Sequence, residues 1–214
     1  MSKKILIIGK NSSIAKEFIK RISKTNLVAP DKKKWNMLDT DFKKNQIKEI
    51  ISADKILLLQ SIISSKDFLK RHHKDIVDQF TINFFSIIKI CEIALNNNKN
   101  VRIIILGSES GVKGSFDIMY GLMKSAIHKY VEERRIKFPK QQLVCVAPST
   151  IIDANMTLNR KDKNNVKSSI LKNPKKRGLK SSEIANLLYD IFYKHTDYIS
   201  NTVIRVDGGK FARM

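Results

Sequence analysis

The stretch Lys4-Ile5-Leu6-Ile7-Ile8-Gly9-Lys10-Asn11-Ser12-Ser13-Ile14-Ala15 decides the fold. Lys4–Ile8 reads as a buried strand, because a short apolar run that ends at a glycine is too brief for a helix. Gly9 opens a tight turn, and Ser13–Lys24 continues as a helix with Ile14, Phe18, Ile19 and Ile22 on its apolar face. A strand that turns sharply into a helix makes an anion site, since free backbone N–H groups and the helix dipole point the same way. Small residues at Ser12, Ser13 and Ala15 let a bound group and the neighbouring strand come close. An ordinary strand-to-helix turn has the same pattern, so the stretch speaks to architecture before activity.

The alternation repeats along the chain. Leu27–Ala29 reads as a second strand stopped by Pro30, Asn36–Leu38 as a very short third, and Lys55–Leu59 as a fourth. Ile76–Leu95 is a long, strongly apolar helix, followed by a fifth strand at Val101–Leu106 and a helix at Ile118–Lys137. A sixth strand, Gln142–Ala147, ends at Pro148. The last helix, Ser181–Tyr193, has Ser181 as its expected N-cap and Glu183 in its first turn. Thr202–Val206 is the last strand, closed by Asp207-Gly208-Gly209. The expectation is an α/β, Rossmann-type, doubly wound parallel sheet of about seven strands, with helices on both faces in three α/β/α layers. One domain spans residues 1–214. Asn155–Lys180 breaks the pattern: it is polar, poorly periodic, and carries nine Lys/Arg against a single acid, Asp162. Ligands of doubly wound sheets sit beyond the carboxyl ends of the strands, so residues 154–180 are expected to form a loop that covers the substrate as a lid.

Composition narrows the classes. The 214 residues carry 41 Lys+Arg against 20 Asp+Glu, a formal charge of +21. Such an excess suits nucleic acid, an anionic membrane or an anionic substrate. Only 9 of the basic residues are Arg, the side chain that grips phosphates bidentately, so nucleic-acid binding is not expected. No apolar run approaches the ~20 residues of a membrane span. Met1-Ser2-Lys3-Lys4 leads into only four apolar residues before Gly9, so no signal peptide is visible and a cytoplasmic location is expected. Cys91 and Cys145 lie in apolar segments and read as small buried hydrophobes. His72-His73 sits in a charged stretch, and no spacing suggests a metal site.

Three further features carry chemistry. Tyr120 and Lys124 are four residues apart on one helix, so phenol and ammonium can reach one site. A nearby ammonium is expected to lower the phenol's pKa from its usual ~10 and make it a proton donor and acceptor. Gly107-Ser108-Glu109-Ser110-Gly111 directly follows the fifth strand and places the Ser108 hydroxyl beside that phenol. Asn83 is a polar amide among Phe80, Ile82, Phe84 and Phe85, either a satisfied core group or a functional one.

In this order these features resemble the short-chain dehydrogenase/reductase family, over almost the whole chain. The family's TGxxxGxG motif is similar to Ile8–Ala15, with Gly9 kept, Ser13 in the second glycine position and Ala15 in the third. Its helix Asn matches Asn83, its serine Ser108 with Gly111 three residues on, and its YxxxK Tyr120 and Lys124. Its Pro-Gly resembles Pro148-Ser149, its closing VDGG is Val206–Gly209, and Arg177-Gly178 with Ser182–Ala185 resembles the approach to its last helix. The chain departs from the pattern where NNAG becomes Leu59-Gln60-Ser61-Ile62, and where the threonine five residues after Pro148 becomes Asp153.

The resemblance implies an NAD(P)-dependent oxidoreductase that interconverts a carbonyl and an alcohol by hydride transfer. Tyr120 would be its general acid or base, Lys124 would hold the nicotinamide ribose, Ser108 would polarise the carbonyl and Asn83 would support a water chain. The cofactor-binding set is Gly9, Asn11, Ser12, Ser13, Ile14, Asp31, Lys32, Asn36, Gln60, Tyr120, Lys124, Pro148, Thr150 and Ile151. Asp31 favours NAD and Lys32-Lys33-Lys34 favour NADP, and the balance leans slightly to NADP. The three-residue spacing between Tyr120 and Lys124 favours carbonyl/alcohol chemistry over enoyl reduction. The basic stretch Arg160–Lys180 suits an anionic substrate, such as a nucleotide-linked sugar or an acyl thioester, or is simply a solvated Lys-rich loop. Helices Ile76–Leu95 and Ile118–Lys137 imply a homodimer or homotetramer. The lost glycines and NNAG leave open a second reading, a catalytically inactive NAD(P)-binding sensor or scaffold.

Overall fold

A computed structural model of the chain describes residues 4–160, 162–194 and 197–210. Six parallel strands form one sheet: β1 (Ile5–Ile8), β2 (Leu27–Val28), β3 (Lys55–Leu58), β4 (Arg102–Leu106), β5 (Gln142–Pro148) and β6 (Thr202–Val206), in the spatial order β2-β1-β3-β4-β5-β6. Apolar residues alternate between its two faces. Leu6, Ile8, Ile103, Ile105, Leu143 and Cys145 face one helical layer, while Ile5, Ile7, Ile104, Val144 and Val146 face the other. The helices α1 (Ser13–Ile19) and α9 (Ser181–Tyr193) cover one face, and the Phe18 and Phe192 rings meet edge to face at 6.2 Å. The second face is covered by α2 (Lys44–Ser52), α4 (Ser86–Asn97) and, after the single turn α5 (Ser110–Lys113), α6 (Ile118–Glu133), through Ile50, Ile87, Ile90, Ala94, Leu95, Ile127 and Val131.

The chain reverses its winding at β1, with β2 on one side and β3 on the other, and Gly9 lies at that crevice. Its φ of +91° is open to glycine, and a Cβ there would stand 2.9 Å from the Gln60 nitrogen and the Leu59 carbonyl carbon. The close approach of the turn to the end of β3 therefore depends on this one glycine.

Several expectations are corrected. There is no strand at Asn36–Leu38: Asn36 accepts from Asp39 N at 3.0 Å and from Leu38 N at 3.2 Å, so the segment is a turn beside the sheet edge. Its buried Trp35 and Met37 mimic the period of a strand. Helix α1 stops at Ile19 rather than Lys24, because the chain must turn through Lys24 and Asn26 to bring β2 beside β1. The long apolar helix starts at His73, as α3 (His73–Phe80), and passes through one wide turn, Thr81–Phe85, before α4. There the Ser86 amide reaches back five residues to the Thr81 carbonyl. Helix α6 ends at Glu133, where the extended Arg134 turns its guanidinium onto Glu92. Ser181 is the first residue inside α9 and not its cap; Lys180 occupies that place, its amide held by Glu183 at 2.9 Å.

The segment expected as a loop contains two short helices, α7 (Asn155–Leu158) and α8 (Lys163–Leu171). Its base is clasped: Ile152 N donates to the Leu179 carbonyl at 2.9 Å and Leu179 N to the Thr150 carbonyl at 3.1 Å. Gly178 permits the clasp, since a Cβ would collide with Ile152 Cγ2 at 1.9 Å. Among the described residues no helix is long and apolar enough to cross a membrane.

Candidate active site

A cavity of about 920 Å³ opens beyond the carboxyl ends of β1, β3, β4 and β5. Its walls gather Gly9, Asn11, Ser12, Ser13 and Ile14 from the first turn, Asp31, Lys32 and Asn36 after β2, and Gln60 after β3. Ser108 follows β4, Tyr120 comes from α6, and Pro148, Thr150 and Ile151 come from the end of β5. Lys124 and Asn83 lie beneath this surface, 1% and 0% exposed. The residues singled out in the sequence thus converge on one place.

Asp117 seats Tyr120. Its carboxylate caps α6 by accepting from Tyr120 N at 3.3 Å, and also accepts from Ser64 N at 2.8 Å and Gln79 Nε2 at 2.6 Å. Arg71 completes this buried cluster with a 3.3 Å ion pair to Asp117. Burial pushes the phenol of Tyr120 above its ordinary pKa; the Ser108 and Ser61 hydroxyls beside it pull the other way, and the carboxylates of Asp117 and Glu109 add to the rise. The lowering expected from Lys124 is not found; burial sets the direction.

Lys124 shares a face with Tyr120, its Nζ 5.6 Å from the ring centroid. That Nζ donates to the Leu106 carbonyl at 2.8 Å, and burial lowers the ammonium's pKa to about 8. Four residues on, His128 fills the space beside Gly107 and Gly111, whose Cβ atoms would stand 2.7 Å from Nε2 and 2.6 Å from Cε1. Burial first, then Lys124 and Arg205, lower its pKa to about 4, so it is neutral. The two glycines around Ser108 thus make room for an imidazole.

Ser108 Oγ accepts from Ser110 N at 3.1 Å, and its hydroxyl is hydrogen-bonded to the Tyr120 phenol at the cavity wall. Both ends of the Asn83 amide are engaged on the strand end. Oδ1 accepts from Ile62 N at 2.8 Å and Ser61 Oγ at 3.2 Å, and Nδ2 donates to the Ile62 carbonyl at 2.7 Å. Its side chain clamps residues 61–62, and the wide turn in the helix presents it there.

Other lining residues escaped the sequence reading: Trp35, Met37, Glu109, Lys113 and Phe116. Arg160 packs over the Phe116 ring at 4.5 Å and is paired with Asp162. Lys210 bridges Ser169 of α8 at 2.8 Å and Glu109 at 3.4 Å, which ties the cover to the residue after Ser108. Among the described basic residues of the cover, Arg160 alone lines the cavity; Lys163, Lys167, Lys172, Lys175, Lys176, Arg177 and Lys180 are exposed. No single spacing announces these contacts, because loops distant in sequence deliver them.

This architecture is the short-chain dehydrogenase/reductase fold. The chain is similar to a glucose/ribitol dehydrogenase of that group from Brucella melitensis, with a TM-score of 0.84, 18% identity, and 99% of this chain and 97% of that one covered. It is also similar to a short-chain dehydrogenase family protein from Francisella tularensis, with a TM-score of 0.83, 20% identity and coverage of 98% and 99%. A Burkholderia cenocepacia short-chain dehydrogenase in complex with NADP superimposes with a TM-score of 0.80 at 16% identity, covering 98% of each chain. No protein-family model and no curated protein sequence matches this chain.

Proposed function

We propose that the protein is an NAD(P)-dependent oxidoreductase that interconverts a carbonyl and an alcohol. The observation that carries this reading is the Tyr120 phenol on the cavity wall, with the Ser108 hydroxyl beside it and the Lys124 ammonium beneath.

The residues present fit the cofactor. Gly9 leaves a cradle that a Cβ would fill, and Ser12 caps α1 by accepting from Ala15 N at 3.1 Å. Both amide atoms of Gln60, which lines the same cavity, are buried with no hydrogen-bond partner among the described residues, the state of a group that awaits one. Gly9 to Ile14 would hold the pyrophosphate, and Asp31, Lys32 and Asn36 the adenosine. Lys10 lies 3.9 Å from Asp31 and partly neutralises it, which with Lys32 supports NADP over NAD; the NADP complex of the Burkholderia neighbour points the same way. When bound, the nicotinamide supplies or accepts the hydride.

The chain's own groups do the rest. Ser108 donates to the carbonyl oxygen and fixes its position. Tyr120 hands that oxygen its phenolic proton, a step worth roughly 10²–10⁴-fold in rate. Lys124 places positive charge beneath the phenolate that results. The segment 154–180 covers the substrate, and the pairing of Arg160 with Asp162 gives its inner side less charge than its composition suggests.

The exposed Val77, Phe80, Phe85, Ile118 and Leu122 on α3, the wide turn and α6 fit a homodimer or homotetramer, read by sedimentation at micromolar concentration. The function is tested by titrating the protein with NADH and NADPH, followed through Trp35, the chain's one tryptophan and a wall of the cavity. Saturable quenching, weakened in Lys124→Ala, and reduction of a panel of carbonyl compounds that is lost in Tyr120→Phe are expected. Binding without turnover of any compound would identify a cofactor-binding sensor instead. Binding of neither nucleotide would end the proposal.

A further inference from the structure

Two positions where the chain departs from the resembled motif meet at a third residue. Ser13 stands in a glycine position and Asp153 in a threonine position, 140 residues apart in the sequence. The hydroxyl of Ser181, completely buried, lies 2.7 Å from Ser13 Oγ and 2.9 Å from Asp153 Oδ1. The Ser181 amide donates to the same carboxylate oxygen at 2.8 Å. Ser13 is on the wall of the cavity, in the turn after β1. Asp153 is the residue between the clasp of Ile152 on Leu179 and the first residues of the cover, Ala154 to Thr157, which also line the cavity.

We infer that Ser181 is a positioning residue that joins the turn after β1 to the base of the cover, so that settling one settles the other. The inference rests on the cofactor reading for what settles the turn. The physical case is local. A hydroxyl has one proton and two lone pairs, so the Ser181 oxygen can take part in two bonds but has a proton for one acceptor at a time. Ser13 and Asp153 both lie within reach of that proton. Any shift of the Ser13 oxygen therefore changes how firmly Asp153 is held. The Ser181 hydroxyl is completely buried, so water does not replace its partners at that oxygen, while Ser13 is half-buried and Asp153 reaches the surface. Glycine at position 13 would lack the hydroxyl, so the link exists through the departure from the motif.

The test is amide hydrogen exchange read by mass spectrometry, on wild type, Ser181→Ala, Ser181→Thr and Ser13→Gly, each with and without NADPH. In the absence of nucleotide, Ser181→Ala is expected to speed exchange in both residues 9–16 and residues 152–158, by about three- to tenfold for the loss of one hydrogen bond. Ser181→Thr, which keeps the hydroxyl, is expected to restore both. In wild type, NADPH is expected to slow exchange at 152–158 as well as at 9–16; in Ser181→Ala and Ser13→Gly the nucleotide is expected to protect only the turn. Faster exchange confined to the start of α9, or protection of 152–158 that survives in Ser181→Ala, would overturn the inference. If NADPH changes nothing in wild type, the cofactor reading fails, while the unliganded comparison still decides whether Ser181 joins the two segments.

Discussion

Lys124 donates its buried Nζ to the carbonyl of Leu106 at 2.8 Å, so the charge beneath the cavity is held by the last residue of the strand that leads to Ser108. The placement costs stability. Burial lowers the ammonium's pKa from 10.5 to about 8, a difference of roughly 3 kcal/mol against the charged form. Lys124→Met is therefore expected to abolish carbonyl reduction and yet raise stability at pH 7 by about 1–3 kcal/mol in urea unfolding. Between pH 8 and 10.5 the unfolded wild type binds the proton that the native protein has released, so wild-type stability rises with pH and the advantage of the variant shrinks. A variant less stable than wild type at pH 7 would refute this cost.

His128 acts in the same sense on the acid side. Its native pKa of about 4 lies below the ordinary 6.5, so the unfolded state takes up a proton between those values that the native state refuses. Stability contributed by the neutral imidazole is complete above pH 6.5 and is lost as pH falls toward 4, by roughly 1–3 kcal/mol after allowance for partial solvation. His128→Gln is expected to flatten this limb of the stability profile. An unchanged slope between pH 6.5 and 4.5 would show that other groups govern it.

Gly9→Ala combines a φ of +91° with contacts at 2.9 Å to the backbone of Leu59 and Gln60. The expected loss of stability is about 1–3 kcal/mol. NADPH binding is expected to weaken more than tenfold, because the turn must move away from β3. Calorimetry and Trp35 quenching read the two effects separately, and a variant that keeps wild-type affinity would show that the turn does not hold the nucleotide.

Asp117→Ala removes the cap of the Tyr120 helix and leaves the Arg71 guanidinium buried without its carboxylate. Removing one partner of a buried ion pair costs about 3–5 kcal/mol. Arg71→Met with Asp117→Leu is expected to recover part of that loss while leaving the helix uncapped. Equal losses in the single and the double variant would mean that the cap, and not the stranded charge, dominates.

How much of this was legible in the sequence depends on whether local or distant residues did the work. The strand, turn and helix from Ile5 to Ile19 were readable because a short apolar run, a glycine and a period near 3.6 are local signals. The motif residues of the cavity were readable by identity and order. The turn at Asn36–Leu38 was misread because Trp35 and Met37 alternate into the core while the backbone bonds only to itself. Helix α2 went unread because its Lys-rich surface hides the two buried positions, Gln46 and Ile50. Asn83 was singled out as an oddity, but a turn widened by one residue has no composition of its own, so its clamp on Ile62 could be seen only in three dimensions. The same holds for Arg160 over Phe116 and for Lys210 between Ser169 and Glu109, contacts made by the packing of distant loops.

The clasp of Ile152 on Leu179 has a consequence for how such a chain can change over generations. Everything between those residues leaves the sheet and returns at one pair of backbone bonds; beyond that pair the excursion touches the body through individual side chains, such as Arg160 on Phe116 and Ser169 on Lys210, that can be exchanged singly. Lengthening it is cheap, since doubling a closed loop costs only about 0.6 kcal/mol in chain entropy. Selection can therefore rewrite the excursion for a new molecule, residue by residue or wholesale, while the strands, the crevice and the groups beneath it are inherited unchanged.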